Sequence, residues 1–225
     1  MTNEQGWGTV GIFIFPGFEP LDAYGPLELF GSLIREGLRK VKRVVLVAES
    51  AGPVPNCFGP SSIADYGVDD CPPLDVLVLS GGIGTRILMH NARVLEWIRK
   101  QVARPELQHV LSVCTGSMLL GGAGILDGRE ATTNKELFSY IKSLFPKVRW
   151  QGRARWVRDG KIITASGVTA GMDAALYLLE SEFGTKVTER VAMEIEYVGN
   201  WRQPHDDPFA HSSTDGEEHE DDLCD

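Results

Sequence analysis

A chain of 225 residues is long enough for one α/β domain with a sizeable core and a tail. Its formal charge of −9 is unevenly held: nine of the 31 acidic residues fall in 203–225, which contains no Lys or Arg, so residues 1–202 carry 22 acids and 22 bases. A neutral body without a basic stripe argues against nucleic-acid binding. No segment approaches the ~18 apolar residues of a membrane span. Four scattered cysteines with no C-x-x-C pair argue against a disulfide framework or a zinc site.

No basic-then-apolar leader opens the chain, so the expected setting is cytoplasmic. Residues 203–225 are expected to be a disordered acidic tail, leaving 1–202 as the domain. The tail histidines His205, His211 and His219 are set aside as ligands, and no metal is expected.

In chain order, Thr9–Phe15 reads as an apolar first strand, followed by the turn Pro16-Gly17-Phe18-Glu19-Pro20 and a helix through Leu27, Leu29, Phe30, Leu33 and Ile34. Val41–Ala48 is a second strand, and Gly52–Pro73 suits short strands and loops. Asp75–Leu79 is a third main strand running into Ser80-Gly81-Gly82. An amphipathic helix over Val94–Val102 precedes the strand His109–Val113. Beyond it come a small-residue helix, a helix from about Lys135 to Phe145, and a hairpin turning on Asp159-Gly160. Two final helices follow, the second with Val187, Val191, Ile195 and Val198 at helical spacing. The expected fold class is α/β: a flavodoxin-like three-layer sandwich, with a mostly parallel central sheet and helices on both faces. Ligands in such sheets bind beyond the carboxyl ends of the strands. The Asp22 loop, the Gly81-Gly82 turn and the corner at Cys114 would therefore share one crevice.

Cys114 stands where an apolar strand turns sharply into a helix, the position of an exposed nucleophile. A helix start stabilises anions, so the thiol is expected well below its free pKa of ~8.5 and ionised at neutral pH. The alternative is an inert core cysteine. Asp22 is either a helix N-cap or an acid facing the crevice, and Thr169 reads as an N-cap. His109 starts its strand at the end opposite Cys114, which argues against a Cys–His dyad.

Several motifs together resemble the ThiJ/PfpI branch of the class I glutamine amidotransferase-like superfamily over residues 9 to about 200. They are Phe15-Pro16-Gly17-Phe18 with Leu21-Asp22 and Gly25-Pro26, Ser80-Gly81-Gly82, Val113-Cys114-Thr115-Gly116-Ser117, Gly128-Arg129 with Ala131-Thr132-Thr133, Asp159-Gly160 with Thr164, and Gly167-Val168-Thr169-Ala170-Gly171-Met172-Asp173. Peptidase-like members place His directly after the nucleophile, where this chain has Thr115. Glyoxalase-like members usually present Glu in the first loop and often His near Asn134, where this chain has Asp22 and an amide. Within the branch the chain is similar to the isocyanide hydratases.

That resemblance implies a cysteine-dependent lyase converting an isocyanide to an N-formamide, with Cys114 as nucleophile and Asp22 as general acid, its pKa raised by burial and by the neighbouring sulfur. Thr115 would supply an N–H and its hydroxyl, and Gly82, beside Gly81, a further N–H. No cofactor is implied. The partner is a small-molecule substrate, and a homodimer through the first helix is expected. Two alternatives share the cysteine: an enzyme of small reactive carbonyls such as methylglyoxal, and a non-catalytic oxidative sensor.

Overall fold

The computed structural model describes residues 6–35 and 38–210. In order, the elements are β1 (Trp7–Phe13), α1 (Pro20–Ser32), β2 (Val41–Ala48), β3 (Gly52–Pro55), β4 (Ser61–Ala64), β5 (Tyr66–Gly67) and β6 (Val76–Leu79). Next come α2 (Thr85–Leu88), α3 (Ala92–Ala103), β7 (His109–Val113), a 3-10 turn at Cys114–Gly116, and α4 (Ser117–Gly122). The chain then forms β8 (Glu130–Ala131), α5 (Phe138–Leu144), β9 (Arg149–Trp150), β10 (Trp156–Asp159), β11 (Ile162–Ala165), α6 (Ala170–Phe183) and α7 (Thr185–Glu194).

Seven strands form the main sheet in the order β10-β11-β7-β6-β1-β2-β5, parallel except for the β10–β11 hairpin. Every residue of β6, β7 and β11 is buried, which an apolar strand achieves only when both faces of its sheet are covered. The helices fall into two groups, α1 with α6 and α7, and α4 with α2 and α3. The chain is thus an α/β protein built on a mostly parallel sheet. No helix among the described residues is long and apolar enough to cross a membrane.

Register positions the site. Phe13 pairs with Leu79, Leu79 with Ser112, and Val113 with Ala165, so four strands end level with one another. The segments that follow them, after β1, β6, β7 and β11, open on one edge of the sheet. Burial of large side chains such as Phe13, Leu77, Leu79 and Leu111 stabilises this sheet by roughly 1.5–3 kcal/mol each.

Several boundaries differ from those expected. The helix expected from Lys135 starts at Phe138, because the Asn134 side chain caps a turn there, its Oδ1 accepting from Leu137 N–H at 3.0 Å. Val198 lies beyond α7 and is fully exposed, so its helical spacing was coincidental. The tail expected from residue 203 begins too early. Residues 203–210 run across the body, with Arg155 N–H bonded to the Pro204 carbonyl (2.7 Å), Asp207 N–H to the Arg153 carbonyl (3.0 Å), and Asp207 itself 2% exposed. The remainder of that tail, with His211 and His219, lies outside the described residues.

Candidate active site

Cys114 sits at the end of β7 with φ of 55°, a left-handed conformation that non-glycine residues adopt rarely and that concentrates at functional sites. Neighbours hold it there. Its N–H donates to the Ser166 carbonyl at 2.8 Å, and its own carbonyl accepts from the hydroxyl of Thr133 (3.2 Å), which in turn accepts from Ser117 (2.7 Å). The sulfur receives the Asn134 amide at 3.3 Å and faces the backbone N–H groups of Thr115 and Val168.

Asp22 comes from the first turn of α1 but does not cap it. Glu19 occupies the cap position and makes no side-chain cap bond. The Asp22 carboxyl is instead fully buried, with Oδ2 accepting the Gly81 N–H at 2.8 Å and Oδ1 left without a hydrogen-bond partner. Gly81 makes this approach possible. A Cβ there would lie 2.7 Å from both Asp22 Oδ2 and the Thr115 nitrogen, so any side chain would separate the acid from the cysteine turn. Gly82, at φ of 124°, gives its N–H to Thr115 Oγ1 (2.9 Å), whose hydroxyl lies 3.2 Å from the Gly82 carbonyl. Its N–H, expected to face an intermediate, is therefore already engaged, and the Val168 N–H stands at the sulfur instead.

Protonation differs from expectation too. Burial pushes the Cys114 thiol up to about 12, with the Asp22 charge adding to it, against the pull of the Thr115 N–H, the Asn134 amide and the Val168 N–H. Burial likewise lifts the Asp22 carboxyl to about 8, opposed by the Gly81 N–H and reinforced by the charge of Glu19. Near neutral pH both groups keep their protons. The ionised thiol expected from the helix start is overturned because the sulfur is enclosed, which a local motif cannot reveal.

A cavity of about 320 Å³ opens on the sulfur, large enough for a small organic molecule. Ile83, Met118, Leu137 and Val168 give it apolar walls, and Glu19, Cys57 and Arg86 contribute polar groups. Sequence reasoning assigned no role to Glu19, Asn134 or Val168. A helix soon after Asn134 was expected, but the contact of its amide with sulfur depends on tertiary structure. Cys57 donates to Glu19 Oε2 at 3.3 Å, and burial followed by that carboxylate lifts its thiol to about 11. His109 lies at the far end of β7, paired with Glu182 at 3.1 Å, and His90 is exposed. Thr169 precedes α6 but does not cap it, since its hydroxyl accepts from Arg155 at 3.2 Å. Among the described residues no three His, Cys, Asp or Glu side chains cluster as metal ligands.

A cysteine at a strained strand-to-helix corner, an acid from the first turn of α1 and a mostly parallel sheet beneath them define an α/β protein with a candidate nucleophile elbow. The chain matches the model of the DJ-1/PfpI family over residues 8–181, and it belongs to that family. It is 35% identical to isonitrile hydratase of Pseudomonas putida over 191 residues, 84% of this chain and 78% of the relative. It is also 30% identical, over 130 residues, to the HTH-type transcriptional regulator GbdR of Pseudomonas aeruginosa, covering 57% of this chain but only 34% of the regulator. A solved ThiJ/PfpI family protein from Pseudomonas syringae superposes with a TM-score of 0.75 at 30% identity, covering 85% of this chain and 76% of that one.

Proposed function

We propose that the protein is a cysteine-dependent hydro-lyase that adds water to an isocyanide to give an N-formamide, with Cys114 as nucleophile and Asp22 as proton carrier. The observation that carries this reading is the buried Asp22 carboxyl, protonated at neutral pH and with a free Oδ1, beside a cysteine followed by Thr115 and contacted by an amide rather than an imidazole. The likeness to an isonitrile hydratase supports it.

An isocyanide carbon accepts a nucleophile and a proton on the same atom. In the first step the Cys114 sulfur bonds to that carbon while Asp22 delivers its proton there, and the thiol proton passes to the carboxylate so formed. The product is a thioimidate, and Asp22 is neutral again. Asp22 then protonates the imine nitrogen as water attacks the carbon and returns a proton to the carboxylate. Collapse breaks the carbon–sulfur bond, the hydroxyl proton returns to sulfur through Asp22, and the N-formamide leaves. The balance is one isocyanide and one water to one formamide. Asp22 gives and takes one proton at each step, so no charge need be buried between steps. The Thr115 and Val168 N–H groups and the Asn134 amide stabilise negative charge developing on sulfur.

The reaction needs no cofactor, and the setting we assign is cytoplasmic. A homodimer is part of the same reading. Leu21 and Tyr24 on α1 and Phe58 and Ile63 on the β3–β4 ribbon are exposed apolar side chains that a second copy would cover, and light scattering at the mass of a monomer would remove it.

The test is turnover of an aryl isocyanide and of methylglyoxal, side by side, by the wild type and by Cys114→Ala. Formamide from the wild type and none from the variant is expected. Lactate from methylglyoxal, with no formamide, would replace the isocyanide with a carbonyl substrate.

A further inference from the structure

A second cavity of about 300 Å³ adjoins the first and shares its lining at Asn134, Glu136 and Val168, adding Lys135, Arg155, Asp207 and Phe209. The segment that carries Val168 is held by hydrogen bonds that lead to Asp207. Asp207 Oδ2 accepts the Ser166 hydroxyl at 2.5 Å and lies 3.9 Å from the Arg155 guanidinium, while its Oδ1 accepts the Phe209 N–H at 3.0 Å. Ser166 is the residue whose carbonyl holds the Cys114 N–H, and two positions on is Val168, whose N–H faces the sulfur.

On the other side, Lys135 follows Asn134 directly. It is 4% exposed, its ammonium is bonded to the Thr132 hydroxyl (2.8 Å) and the Ala154 carbonyl (2.6 Å), and it lies within the fields of Asp207 and Arg155.

We infer that Asp207, on the segment crossing the body at 203–210, is a positioning residue for the cysteine. It holds the Ser166–Val168 turn through a hydrogen bond, and so sets both the carbonyl that accepts the Cys114 N–H and the Val168 N–H that reaches the sulfur. The inference rests on Cys114 being the reacting group, but not on what it reacts with.

The experiment follows alkylation of Cys114 by iodoacetamide between pH 6 and 10, read by mass spectrometry of the Cys114 peptide so that Cys57 and Cys71 are counted separately. Thermal melting is measured on the same samples. Asp207→Ala is expected to slow alkylation about tenfold at a given pH and displace the profile to higher pH, the effect of weakening a hydrogen bond to a charged acceptor. Asp207→Asn, which retains an acceptor for Ser166, should recover part of that loss. Arg153→Ala, which removes only an exposed ion pair from the same segment, should leave the profile in place. A folded Asp207→Ala protein alkylated at the wild-type rate or faster overturns the inference, however far its melting temperature falls. Should Asp207→Ala not fold, Ser166→Ala decides by the same criterion. Because no isocyanide is involved, a wild type without hydratase activity would leave this result standing.

Discussion

Two buried polar clusters, one around Arg155 and one around Cys114, are solved in opposite ways. Around Arg155 both acids are fully partnered: Asp173, 1% exposed, accepts from the Arg155 guanidinium (2.6 Å), the Tyr197 hydroxyl (3.0 Å) and the Asn200 N–H (3.0 Å), and Asp207 meets Ser166, Phe209 and Arg155. In the site of Cys114 the acid has no ion-pair partner among the described residues. Asp22 has one N–H partner, one free oxygen and the nearby charge of Glu19, so it keeps a proton that an ordinary carboxylate would release. A carboxylate with a cation and several donors is a support. One left short of partners is a group that can move a proton.

Asp22→Asn breaks the contrast most sharply. It keeps the shape and removes the acid, so turnover should fall by about 10²–10⁴, the usual contribution of a positioned general acid. Stability should move the other way. The carboxyl titrates near 8 in the fold against 3.8 in the open chain, so its protonated form favours folding below 3.8 and that advantage is lost as pH rises to 8. Above neutrality the variant should therefore melt higher than the wild type, which calorimetry at pH 5 and 8.5 would show.

Arg155→Ala tests the other cluster. Leaving Asp173 and Asp207 buried without their guanidinium should cost about 3–5 kcal/mol in urea unfolding. A cost below 1 kcal/mol would mean the cluster is not the support described.

The smallest effect is a pH profile. With the protonated Asp22 as the working form, kcat/KM should be level below about 8 and decline above it. A rise through that range would instead indicate an ionised thiol.

Sequence and structure agree where the physics is local. The Val41–Ala48 strand has the expected limits because its valines favour extended backbone, and the hairpin expected at Asp159-Gly160 forms one residue on, with Asp159 closing β10 and Gly160-Lys161 as the loop. The corner at Cys114 was legible from the change of pattern alone. What was missed required neighbours from afar. Thr169 had a cap's chemistry, but Arg155 from β10's approach claimed its hydroxyl. Asp207 lay in an acidic run that reads as solvated, yet Ser166 and Arg155 draw it inside. The thiol's protonation followed from enclosure by four separate segments, which no stretch of sequence encodes.

The missing side chain at Gly81 has a consequence for anyone redesigning this protein. The first helix, the turn after β6 and the cysteine corner meet where that side chain would be, so they form an interlocked triad with no slack. Libraries that vary one of the three loops at a time will mostly return dead variants, and a new reactivity in this scaffold will require rebuilding all three together.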